Sequence, residues 1–161
     1  MKHLLVLVLM LPGFVHARTL GFSQMEDGDR IEVTLRSTGC FHDYTFYYEF
    51  RKDKGSHLFT EYAITWKRSP VPEIEEKKAM GTLKLTAQEI TGLDALLEYY
   101  RSKKDGSSTT QVSLVVEFYE PGRQVGVERL FDQTGGFGLE NRKDVVTFRA
   151  LSEQIKGQAA R

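Results

Sequence analysis

From Arg30 onward the chain alternates apolar and polar residues in short runs, and that period of two predicts half-buried strands. Ile31, Val33 and Leu35 face one way over Arg30 to Arg36, with Glu32, Thr34 and Arg36 opposite. Tyr44 to Arg51 repeats the pattern, setting Tyr44, Phe46, Tyr48 and Phe50 against Thr45, Tyr47, Glu49 and Arg51. Its aromatic and β-branched content suits a pleated surface. Asp53-Lys54-Gly55-Ser56 is turn chemistry. Leu58 to Trp66 is then the return strand of a long hairpin, with Leu58, Tyr62, Ile64 and Trp66 as its expected inward set. Pro70 and Pro72 end it, Glu73 to Lys78 reads as a solvated connection, and Met80 to Leu85 as a short fourth strand.

The period then changes. Thr86-Ala87-Gln88-Glu89 is a capping box, in which hydroxyl and carboxylate each satisfy an orphan backbone donor, so a helix is expected from Ala87. Ile90, Leu93, Leu96, Leu97 and Tyr100 draw its single apolar stripe. After a polar loop, Val112, Leu114, Val116 and Phe118 mark a strand. Pro121-Gly122 predicts a connection longer than a tight hairpin, leading to a partner strand carried by Val125, Val127 and Phe131. Thr134 to Gly138 breaks it, and a last helix is expected from Arg142 to Lys156, buried through Val145, Phe148, Leu151 and Ile155 and stopped by Gly157.

Hairpin-linked strands and two single-stripe helices define an α+β class: an antiparallel sheet of five or six strands, in the order βββ(β)αββα, with both helices on one face. The other face, expected to carry Tyr47, Phe59 and Val115, is either partly covered or the working surface.

Ahead of this domain, Leu4 to Leu11 is an apolar run after Met1-Lys2-His3 and before Pro12-Gly13, and Val15-His16-Ala17 fits a signal peptidase site. Cleavage after Ala17 is expected. The run is shorter than the roughly 20 residues that span a bilayer, so a retained anchor is the weaker reading. Residues 18–28 read as a flexible leader, 29–157 as a single domain and 158–161 as a tail. Export implies the periplasm or, second, the medium.

Composition adds mainly exclusions. Lys plus Arg equals Asp plus Glu at 22 each. Loss of residues 1–17 removes Lys2 and no acid, for a formal charge of −1. Such balance offers no field for nucleic acid, and none is expected as a partner. One cysteine among 161 residues excludes an internal disulfide.

That cysteine opens the one constellation with catalytic chemistry. Cys40, His42 and Asp43 stand within four residues, and a thiolate made by an adjacent imidazole, itself fixed by a carboxylate, would be a nucleophile. Sequence neighbours rarely meet in that geometry, so a buried or half-buried structural thiol is the default, with an intermolecular disulfide as a further possibility. No metal site or cofactor is expected: His42 and His57 fall about 30 Å apart along the predicted hairpin. The Gly-rich stretch at Thr134 to Gly138 lacks the spacing of a phosphate loop. The aromatic row from Tyr44 to Phe50 reads as core in preference to a stacking platform. What stays is a binding role: Phe41, His42, Trp66 and Phe137 as contact residues of a non-enzymatic, inhibitor- or immunity-like module that meets another protein of the envelope. A thiol hydrolase centred on Cys40 and His42, or a small-ligand carrier, is the alternative.

Overall fold

The computed structural model describes residues 20–67, 74–102, 108–133 and 146–159. Strands β1 (Arg30–Gly39), β2 (His42–Asp53), β3 (Ser56–Trp66) and β4 (Ile74–Lys84) precede helix α1 (Ala87–Ser102). Strands β5 (Gln111–Glu120) and β6 (Arg123–Asp132) and helix α2 (Phe148–Ala159) follow. All neighbours are antiparallel in one sheet of order β4-β3-β2-β1-β5-β6. The α+β class and antiparallel sheet read from the pattern are therefore present. No helix among the described residues is long and apolar enough to cross a membrane.

Turn chemistry fixes the registers. Asp53 pairs with Ser56, leaving Lys54 and Gly55 as a two-residue turn with φ of 48° and 72°. Positive φ at both positions is the turn whose twist matches that of the flanking strands. The resulting register sets Phe50 opposite Phe59. Phe59 is thereby core, and the expected inward set of Leu58, Tyr62, Ile64 and Trp66 lies on the opposite face. Apolar residues on both faces of β3 hid this. Pro121-Gly122 also makes a tight two-residue turn, with Glu120 paired to Arg123, in place of the longer loop expected. A bulge between Phe118 and Tyr119 accompanies it. Past the bulge Val125 and Leu130 pack on the core, while Val127 and Phe131 are exposed.

Strand β4 is longer than expected. It takes in Glu75, Glu76, Lys77 and Lys78, which had read as a solvated connection, because charges suit an edge strand.

The face of Ile31, Val33, Leu35, Phe50, Phe59 and Val116 forms one core with both helices. Helix α1 leans over β6 and α2 over β4 and β3. The Thr86 capping box forms as read: the hydroxyl accepts from Glu89 N–H at 3.2 Å and the carboxylate from Thr86 N–H at 2.8 Å. Helix α2 begins at Phe148, six residues later than expected, because Thr147 caps it by accepting from Ala150 N–H at 3.1 Å. Gly157 lies inside it, and the expected Val145 contact falls outside the described residues. At Gly81 of β4 a Cβ would run into Ile155 Cγ2, so a larger residue there would force the Ile155 side chain of α2 to shift.

The segment expected to be a loose leader is anchored from Leu20. Phe22 and Met25 are buried, and the Phe22 and Phe50 rings lie 4.6 Å apart. Asp94 of α1 accepts from Phe22 N–H at 2.6 Å and Ser23 N–H at 3.1 Å. Arg101 donates to Leu20 O at 2.7 Å and pairs with Glu128. Lys52 donates to Met25 O, and His57 Nε2 lies 3.1 Å from Phe22 O.

Burial, then the charge on Lys52, pulls the His57 imidazole below its ordinary value despite the bond to Phe22 O. A depressed imidazole favours the neutral ring in the fold, so its stabilisation is complete above the ordinary imidazole range and is lost as pH falls through the lowered one. We expect stability to decline on acidification from pH 7.5 to 5.5, and His57→Gln to flatten that decline. Urea titrations at both pH values check it; an unchanged slope in the variant would remove His57 as the cause.

Candidate functional site

Gly39 pairs with His42, which leaves Cys40 and Phe41 as a two-residue turn at the far end of the β1–β2 hairpin. Phe41 is 99% exposed, and Cys40 is exposed, in contrast to the buried or half-buried thiol expected. A turn tip has no layer above it to bury a side chain. Adjacency does not produce the catalytic arrangement either. The His42 ring engages Ser37, Nε2 to Oγ at 3.0 Å, and stacks 5.4 Å from Tyr44. Asp43 is held by Arg36 through two bonds of 3.0 and 2.7 Å. Chiefly the hydrogen bond from Arg36 holds the Asp43 carboxyl below its usual range. Imidazole and carboxylate are thus each committed to a β1 residue.

The aromatic row of β2 splits in two. Tyr48 and Phe50 are buried against Phe148 of α2, with ring centroids 5.5 and 6.0 Å away. Phe46 and Tyr44, one and two pleats further out, are 38% and 57% exposed. The core reading thus holds for the inner pair and fails for the outer pair, because α2 does not reach over them. Between this outer stretch and α2 lies a groove of about 350 Å³, floored by Leu35, Val112, Phe46 and Tyr48 and walled by Arg149 and Lys156.

On the opposite face of the sheet, Glu49, Glu32 and Glu117 stand directly side by side across β2, β1 and β5. Like charges in register repel, and this row persists because cations and phenols surround it. Lys77 Nζ lies 3.7 Å from Glu32 and 3.6 Å from Glu49, and over the rings of Tyr47 and Tyr62 at 4.0 and 4.3 Å. Tyr47 donates to Glu32 and Tyr62 to Glu49. Arg30 and Arg51 pair with the same two carboxylates, and Gln124 donates to Glu117 at 2.9 Å. Burial, then the Glu49 charge, pushes the Tyr62 phenol above its ordinary range. The paired carboxylates are saturated by neighbours, so the cluster ties four strands together and presents no open acid and base. Sequence reading missed it, although the Lys54-Gly55 turn alone would have placed Tyr62 opposite Tyr47.

Trp66 lies on this same face, in a hollow shared with Asp43 and Thr45. The β2–β3 ladder ends at the Tyr47–Tyr62 pair, short of His42. His57 stands opposite Lys52, at the other end of β2 from His42. Among the described residues no group of three His, Cys, Asp or Glu side chains is gathered as a metal site. Phe137 and the glycine-rich stretch lie outside the described residues. Comparison with known proteins gives this geometry no relative: no family model, curated protein or solved structure matches the chain.

Proposed function

We propose that the protein is exported and acts as a non-enzymatic binding module of the cell envelope, of the inhibitor or immunity kind, with the outer end of the β1–β2 hairpin as its contact surface. The observation that carries this reading is the run of exposed aromatic side chains at one end of the molecule, Phe41, Tyr44 and Phe46, continuous with the groove beside α2. Aromatic anchors at the centre of an interface supply most of its binding energy. Export is supported by the apolar run at Leu4 to Leu11 and the Val15-His16-Ala17 site, which favour the periplasm first and the medium second.

Capture from the native envelope fraction tests it, with mature protein as bait. A stoichiometric partner is expected for the wild type and for Cys40→Ser. Phe41→Ala and Phe46→Ala, with unchanged circular dichroism, are each expected to weaken it about 30-fold, a loss of about 2 kcal/mol. Loss of capture on Cys40→Ser, with both aromatic variants binding normally, would favour thiol chemistry at Cys40 and His42 and sink the proposal. The groove's largely apolar floor also favours a small-ligand carrier as a second reading. A rise in melting temperature with an apolar additive, abolished by a bulky residue at Val112, would identify that case.

A further inference from the structure

The hollow around Trp66 lies on the sheet face opposite the aromatic groove and has a different chemistry. It measures about 630 Å³ and reaches from β3 across β2 and β1 to β5, three interstrand spacings or about 14 Å. Trp66, the chain's one tryptophan, stands 44% exposed at the end of β3. The floor is formed by Thr34, Arg36, Asp43, Thr45, Ser113 and one aliphatic side chain, Val115.

This lining narrows what fits. The two charged side chains form a forked pair, Nε to Oδ1 at 3.0 Å and Nη2 to Oδ2 at 2.7 Å, so their charges cancel. A polyanion or polycation gains no net Coulomb attraction here. Three hydroxyl groups occupy the floor, and covering them with an acyl chain would strip water from them without replacing its hydrogen bonds. An uncharged ligand rich in hydroxyl groups meets neither objection. The fork uses two of the five guanidinium N–H groups and leaves acceptor capacity on the carboxylate, so the pair can donate to one ligand hydroxyl and accept from its neighbour. An indole face carries negative π density that attracts the C–H face of a sugar ring.

We propose that this hollow binds a neutral oligosaccharide, stacked on Trp66 and read by the Arg36–Asp43 pair. The hollow lies on the sheet face opposite the aromatic groove and shares no lining residue with it, although Asp43 stands close to the Cys40-Phe41 turn of the same hairpin.

Because Trp66 is the sole indole, its emission reports the site directly. The full chain as purified is titrated with cellotetraose and with tetra-N-acetylchitotetraose, followed by fluorescence and by calorimetry. At least one is expected to give a saturable emission change with matching heat. Asp43→Asn, an exposed position that leaves the core untouched, is expected to weaken binding at least about tenfold, and Trp66→Ala to abolish the heat. Trp66→Phe is expected to retain part of it. The proposal is overturned if neither glycan gives a signal up to about 10 mM, if decanoate or an acidic peptide saturates the emission change where the glycans do not, or if Asp43→Asn and Trp66→Ala bind the glycan as the wild type does.

Discussion

Phe50→Ala is expected to cost about 3–5 kcal/mol, a large part of the roughly 5–15 kcal/mol that holds a domain of this size together. The side chain is 1% exposed and joins three parts of the molecule. Its ring lies 4.6 Å from Phe22 of the N-terminal segment, 5.1 Å from Phe59 of β3 and 6.0 Å from Phe148 of α2. No single neighbour can move in to fill the space without leaving the others, so the truncation leaves a cavity as well as a lost transfer energy. Urea unfolding followed by circular dichroism measures it as a fall in midpoint at nearly constant slope. A loss under about 1 kcal/mol would mean that the three elements do not share one core.

Lys77→Met is expected to be the next most damaging change, at about 2–3 kcal/mol, although the residue lies on an edge strand. Methionine keeps the apolar stem and removes the charge that stands between Glu32 and Glu49. Glu49 is almost fully buried and directly opposite Glu32, so the loss of the ammonium leaves two carboxylates facing each other in a site partly closed to water. The cation–π contacts with Tyr47 and Tyr62 disappear with it. Adding Glu49→Gln to Lys77→Met is expected to recover much of the stability, because the repulsion between Glu49 and Glu32 is then gone. Additive losses in that double-mutant cycle would show that the ammonium and the Glu49 carboxylate act independently, against the structure.

Much of the frame was legible because local chemistry and long-range packing agree. Ile31, Val33 and Leu35 alternate cleanly, the Thr86 box caps α1, and Lys54-Gly55 closes the hairpin where expected. Prediction failed where two local signals competed. Leu58 to Trp66 carries apolar side chains on both faces, so only its pairing with β2 shows that Phe59 is inward. Glu75 to Lys78 resembles a loop, yet at a sheet edge the same charges are an asset. Thr147 lacks a Glu three residues on, so its cap was weaker in sequence than that of Thr86, and the helix was begun too early. Of the candidate site, the exposed position of Phe41 follows from the turn. The split of the β2 row does not, because the reach of α2 over Tyr48 but not Tyr44 is a fact of packing between segments about 100 residues apart in sequence.

The row of Glu49, Glu32 and Glu117 also bears on how the strands align. A hairpin that slips by two residues keeps every apolar side chain on its proper face, so hydrophobic burial alone tolerates the error. It would separate Glu32 from Glu49, which Lys77 bridges, although in one direction it also sets Glu32 opposite Arg51. The alignment of β1 and β2 is thus marked by one shared ammonium, to which oiliness alone is blind.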